Sequence, residues 1–243
     1  MGIFSGIWEG IKSIGKAVVG FVGKVASKIG PVVGKIAKTL GTIVGKIAPV
    51  IEVAVTVFEI IHKIVHSLGK AHGVEADDDA AEIGMKVEQD DKSIDDFDGN
   101  ASEYLKYLKH NVKVDPEKLK NLSPEEKVCY QAVGTSLETK ALKEKSGIEL
   151  TPECLAFFAR IVNEKLKGNT EWVELFINKL SEAGINNSQD LMDYLLGKKP
   201  ENSDQISEIF SALDQENNLP FTKNELIREA TAYYDRINKP END

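Results

Sequence analysis

Apolar residues return every three or four positions through the start of the chain: Ile7, Ile11, Ile14, Val18, Val22, Val25, Ile29, Val32, Ile36, Leu40, Ile43 and Ile47. That spacing predicts amphipathic helix. The segment also repeats, with Gly23-Lys24-Val25-Ala26 returning as Gly34-Lys35-Ile36-Ala37 and Gly45-Lys46-Ile47-Ala48. A period of about 11 residues is close to three whole helical turns, so equivalent positions keep one face, whereas an odd period would scramble the faces of a strand. Pro31 and Pro49 each remove a backbone donor. The expected elements are therefore three helices, over roughly 2–29, 31–47 and 50–71.

From Ser102 onward the pattern is again helical. Capping sequences open helices at Ser123–Glu126, Thr151–Glu153 and Asn187–Asp190. Apolar stripes follow, such as Leu155, Phe158, Ile161, Val162 and Leu166, or Ile206, Ile209, Phe210 and Leu213. No strand-like run appears. The expected fold is all-α: N-terminal glycine-rich amphipathic helices, then a compact bundle of about six to eight helices.

At about 100° per residue, Lys16, Lys24, Lys28, Lys35, Lys38 and Lys46 share one arc of the first helices, opposite the apolar face. Gly20, Gly23, Gly30, Gly34, Gly41 and Gly45 line one border of that arc. Each glycine weakens a helix by about 0.8–1 kcal/mol relative to alanine. Gly30-Gly34 and Gly41-Gly45 have the small-xxx-small spacing that lets helix backbones approach closely in membranes. The expected roles follow. Phe4, Ile7, Trp8, Ile11, Ile14, Val18, Val22, Ile29, Ile36, Leu40, Ile43 and Ile47 face lipid, Gly30, Gly34, Gly41 and Gly45 pack helices, and the six lysines hold lipid phosphates.

Charge divides the chain in the same place. Residues 1–73 carry nine Lys and three Glu with no Asp or Arg, a net +6, and the remainder holds 21 basic and 36 acidic residues, a net −15. Twelve of the 19 Gly lie in that first part. This predicts a cationic membrane-active arm (1–73), an acidic linker (74–100) and an acidic helical domain (101–243). The acidic linker offers a counter-charge for the lysine face. No stretch of 18 uncharged residues occurs in the arm, so a standard spanning helix is not encoded.

Other chemistry is sparse. Cys129 and Cys154 sit in apolar helical contexts and read as reduced core residues. No basic region precedes the first apolar stretch, so the expectation is a protein made in the cytoplasm without a standard signal peptide, acting at a membrane after export. No nucleophile elbow, phosphate loop or metalloprotease motif is present, so no enzymatic activity and no cofactor are expected. The acidic body and its three Arg give no nucleic-acid surface. His62 and His66 are four apart, as a metal pair would be, but no third ligand stands near them in sequence. With Glu52 and Glu59 they read as a solvated edge whose charge depends on pH.

The run Asp214 to Glu225 resembles the 12-residue calcium loop of the EF-hand family. That resemblance implies oxygen ligands from Asp214, Glu216, Asn218 and Thr222, with Glu225 bidentate. It departs from the family where Leu219 replaces the turn glycine, and a plain helix capped by Thr222 is the competing reading. The arm resembles, in composition, the glycine-zipper segments of pore-forming antibacterial effectors such as those delivered by type VI secretion. The resemblance implies a leaderless toxin that inserts its N-terminal helices into a target bilayer and permeabilises it. Its expected partners are membrane lipid, copies of itself, and an immunity or carrier protein. Two rival expectations are a phage or virus-like particle component with its arm buried in an assembly, and a calcium-responsive helical adaptor.

Overall fold

The computed structural model describes the backbone of residues 3–48, 50–215 and 220–239, and side chains from residue 14 onward except those of 49, 215–219 and 240–243. Among the described residues the chain is all-helical: α1 (Ile3–Ile47), α2 (Ile51–Ala71), α3 (Ala80–Gln89), α4 (Ala101–Asn111), α5 (Pro116–Lys120), α6 (Pro124–Ser146), α7 (Pro152–Lys165), α8 (Glu171–Glu182), α9 (Ser188–Leu195), α10 (Ser203–Gln215) and α11 (Lys223–Asn238). A 3-10 turn at Ile94–Phe97 joins α3 to α4. The eight helices after residue 100 match the expected bundle.

Long as it is, α1 is not one rod. Gly30 has φ 70 and ψ 172, outside helical space, and Pro31 starts the second limb. Glycine accepts that backbone without strain, and proline at a first helical position loses no hydrogen bond. The limbs, residues 3–29 and 31–47, then run back along each other. Gly15 lies against Thr42 and Gly41, Val18 against Gly41, and Val22 against Gly34. A Cβ at Gly41 would sit 2.5 Å from Val18 Cγ1, so the absent side chain is what lets the limbs close.

Around the hairpin the body is organised on α6. Its buried residues run all round the helix, including Val128, Val133, Leu137, Ala141 and Leu142, because α1, α2, α3 and α4 pack on it from different sides. A helix enclosed in this way shows no single apolar stripe. Its hydroxyls turn inward: Ser136 donates to the Ala132 carbonyl and Thr139 to the Thr135 carbonyl. The contact with α3 is tightest. A Cβ at Gly84 would collide with the Tyr130 backbone, and one at Gly134 with the Ala80 backbone.

The expected linker is corrected by the structure. Within residues 74–100, α3 is buried through Ala80, Ala81, Ile83, Met85 and Val87, and Ile94 packs on Gly30 at the hairpin turn. The acidic run disguises a helix start, since Asp79 caps α3 by accepting from the Ala81 amide at 2.7 Å. Asp77 and Glu82 also face the buried Lys86 amine, each at 2.9 Å. Nor does a boundary at residue 73 separate two cores. One hydrophobic cluster runs from Ile14 through Phe58, Leu137 and Phe158 to Ile237.

Candidate functional site

Two features stand out from the fold: the amphipathic hairpin, and a histidine–carboxylate cluster that ties α2 to α6.

The hairpin's apolar side is enclosed by the body. Ile14, Val18, Val22, Ile29, Leu40, Ile43 and Ile47 are buried and Ile36 is half-buried. Phe4, Ile7, Trp8 and Ile11 lie outside the described side chains. Val32, expected on the apolar face, is 54% exposed, and Val33 is buried in its place. A helical wheel carried unbroken through residue 30 misplaces it, because the reversal at Gly30 resets the phase of the second limb. The four predicted packing glycines divide as well. Gly30 is the turn, Gly34 and Gly41 seat the first limb, and Gly45 is buried. Gly20 and Gly23 are exposed, with nothing within 4 Å of where a Cβ would stand.

The six lysines separate into two groups. Lys28 donates to the carbonyls of Glu88 and Asp90 at 2.8 and 2.6 Å, at the end of α3. Lys46 donates to the Ile237 carbonyl at 2.7 Å, in the last turn of α11. Both ammonium groups therefore satisfy helix C-terminal carbonyls, where positive charge is favoured. Lys16, Lys24, Lys35 and Lys38 are exposed and form no ion pair among the described residues. The acidic segment covers the turn of the hairpin and holds Lys28, but it does not neutralise the lysine face. Lys16 and Lys24 border a cavity of about 400 Å³ together with Phe21, Tyr130 and Cys129.

The second feature is built from α2. His62 and His66, one turn apart, both point their Nδ1 atoms at Glu138 of α6. The His62 Nδ1–Oε2 distance is 2.6 Å and the His66 Nδ1–Oε1 distance 2.8 Å. The Glu138 side chain is 1% exposed. Each ring's other nitrogen also meets an oxygen. His62 Nε2 lies 3.2 Å from the Asp78 carbonyl and His66 Nε2 lies 3.3 Å from Asp78 Oδ1. Burial opposes a charge on His62, but the hydrogen bond and charge of Glu138, with the Asp78 carbonyl and Asp79, outweigh it and hold His62 above its ordinary value. Glu138 is the residue that sequence reasoning missed. Glu52 and Glu59, expected beside the histidines, point elsewhere: Glu59 pairs with Lys127 at 2.8 Å and Glu52 is exposed.

Of the calcium-loop residues, Glu216 and Asn218 lie outside the described residues and Asp214 is exposed at the end of α10. Glu225, the implied bidentate ligand, instead accepts from the Thr222 amide at 2.8 Å, while the Glu225 amide donates to Thr222 Oγ1. That is a capping box for α11. Phe221 packs edge-on to Trp172 at 5.8 Å. Cys129 and Cys154 are both free and buried.

Comparison with protein-family models, with curated proteins and with solved structures gives no match to this chain.

Proposed function

We propose that this is a membrane-active protein that stores an amphipathic hairpin against its own body and, once released, inserts it into a target bilayer, permeabilising it in the manner of a pore-forming bacterial toxin or effector. The observation that carries this reading is the two-sidedness of the stored hairpin. Its apolar side is buried while Lys16, Lys24, Lys35 and Lys38 face solvent without ionic partners among the described residues. A cationic outer face meets an anionic surface first, each lysine contributing about 1 kcal/mol there. The buried apolar side then has an alternative place to go.

Length supports a hairpin better than a single rod. The helix over Ile14–Ile47 includes an 18-residue window of mean hydropathy 1.4, but the reversal at Gly30 divides it. The second limb, residues 31–47, is ~26 Å long at 1.5 Å per residue, close to the ~30 Å hydrocarbon thickness. Gly20 and Gly23 are exposed, with open space where a Cβ would stand, so they remain available to pack helix on helix after release.

The test is dye leakage from anionic vesicles by the full chain, near neutral pH and near pH 5, with Gly20→Leu/Gly23→Leu as the comparison. Those positions are open in the folded protein, so the change leaves storage intact. Leakage by the parent protein that falls further in this variant than in Gly20→Ala/Gly23→Ala, which gains the same helix propensity with a smaller side chain, supports packed insertion. No vesicle binding and no leakage at micromolar protein would sink permeabilisation and direct attention to an assembly that takes up the arm.

A further inference from the structure

The two imidazoles beside Glu138 are held in an unusual way. Their Nε2 atoms each face an acceptor on residue 78: the carbonyl oxygen for His62 and the carboxylate for His66. An Nε2–H on each ring satisfies both acceptors. That assignment leaves both Nδ1 lone pairs aimed at the two oxygens of a carboxylate, 2.6 and 2.8 Å away. Lone pair against lone pair at such distances is repulsive, so a positive species belongs between each nitrogen and Glu138. Protons are one solution. A single divalent cation is the other.

We propose that His62, His66 and Glu138 form a binding site for a divalent transition metal of the zinc class. The three ligand atoms lie within 4.8 Å of one another. Histidines four apart on a helix present both rings to one side, which is the geometry of known helical zinc pairs. Zinc binds nitrogen at ~2.0–2.1 Å and carboxylate oxygen at ~2.0–2.2 Å, so tetrahedral ligand atoms sit ~3.4 Å apart. Each Nδ1–carboxylate pair therefore has to open by less than about 1 Å. Rotation of the half-buried His66 ring and a small displacement of α2 supply that movement.

Two further points favour a metal. Metal-bound histidines generally donate their remaining N–H to a carboxylate or a backbone carbonyl, which fixes the tautomer and raises ligand basicity. Asp78 supplies one of each. Charge also balances: a dication held by two neutral imidazoles and one carboxylate carries the same net charge as two imidazolium rings around that carboxylate. The metal thus replaces protons without adding charge to the surroundings. Two histidines and one carboxylate supply three positions of a four-coordinate site, and a water would complete the fourth.

The site bridges α2 to the central helix α6, so binding adds to folded stability. The experiment uses the full chain, stripped with a chelator and titrated with zinc by calorimetry and with cobalt(II) by visible absorption. One zinc per chain, a raised thermal midpoint and the intense visible bands of four-coordinate cobalt are expected. Asp78→Asn, at a position 91% exposed and safe for folding, should weaken zinc binding by ~10-fold. His66→Gln should remove the cobalt bands. A cobalt spectrum identical to that of the aqueous ion, with no zinc effect on the midpoint of the parent protein, overturns the proposal and leaves a proton-bridged cluster. Zinc binding unchanged in both variants overturns it equally, by placing the metal elsewhere.

Discussion

Arg236 of α11 donates from Nε to the backbone carbonyl of Lys46 at 3.1 Å, closing the open C-terminal end of the α1 hairpin. The Lys46 amine answers by donating to the Ile237 carbonyl. The first and last helices are thus clasped through backbone oxygens that neither helix can satisfy internally. Arg236→Ala removes one side of the clasp and frees the carbonyl to water, a loss of about 1 kcal/mol. If the hairpin must leave the body to act, the variant should leak vesicles faster than the parent protein at equal concentration. Chemical denaturation and leakage rates measured side by side check both expectations. A less stable protein with slower leakage contradicts the stored-hairpin reading.

Glycines in this chain serve opposite purposes, and alanine separates them. At Gly84 and Gly134 a Cβ meets the backbone of the partner helix, so α3 and α6 must move apart. Gly84→Ala and Gly134→Ala should each cost about 1–3 kcal/mol, the usual penalty for overpacking. Gly20→Ala and Gly23→Ala meet nothing within 4 Å and should each stabilise the folded chain by up to about 1 kcal/mol through helix propensity alone. Equilibrium unfolding of the four single variants decides it. Equal effects at the two kinds of site would contradict the packing described.

The helix starts were legible because capping is local. Ser123, Thr151, Asn187 and Thr222 each accept from a backbone amide two or three residues ahead, within reach of a short sequence window. The break at Gly30–Pro31 was legible for the same reason. What failed depended on contacts distant in sequence. Gln131, Thr135 and Glu138 look like surface residues, yet α6 is enclosed on several sides and all three are buried. Their spacing ahead of Leu142 puts Glu138 on an inward face, a signal that its charge conceals. The aspartates before α3 read as part of an acidic linker, yet Asp79 caps the helix and Asp77 pairs with a lysine only 3% exposed. The candidate metal cluster was half visible, as a histidine pair whose carboxylate stands 72 residues further along.

The exposed lysines should act additively on an anionic surface. At about 1 kcal/mol each, Lys16→Gln, Lys24→Gln, Lys35→Gln and Lys38→Gln together should weaken association with anionic vesicles by up to ~10³-fold. Their exposure and lack of ion pairs predict little change in folding stability. Lys28→Gln should behave oppositely. It abandons the Glu88 and Asp90 carbonyls and lowers stability, with a small effect on vesicle association. Co-sedimentation and thermal melts on both variants test the division. A quadruple variant that sediments like the parent protein removes the lysine face from the mechanism.

Cysteine chemistry gives a readout of release that needs no membrane. Burial pushes the Cys129 thiol up to about 11, against a partial opposing pull from the Lys24 charge, and pushes Cys154 up to about 12. A raised thiol value leaves little of the reactive thiolate at ordinary pH, on the order of one part in 10³ or less near pH 8. Both thiols should therefore resist alkylation in the folded protein and react together on unfolding. They differ in position. Cys129 lines the cavity beside Lys16 and Lys24, under the first limb of α1, whereas Cys154 is fully enclosed in α7. Detaching the hairpin while the body stays folded should therefore expose Cys129 and leave Cys154 protected. Mass-resolved alkylation after mixing with anionic vesicles should label Cys129 first. Simultaneous labelling would mean that the whole chain opens as one unit, and no labelling with vesicles bound would mean that the hairpin stays in place.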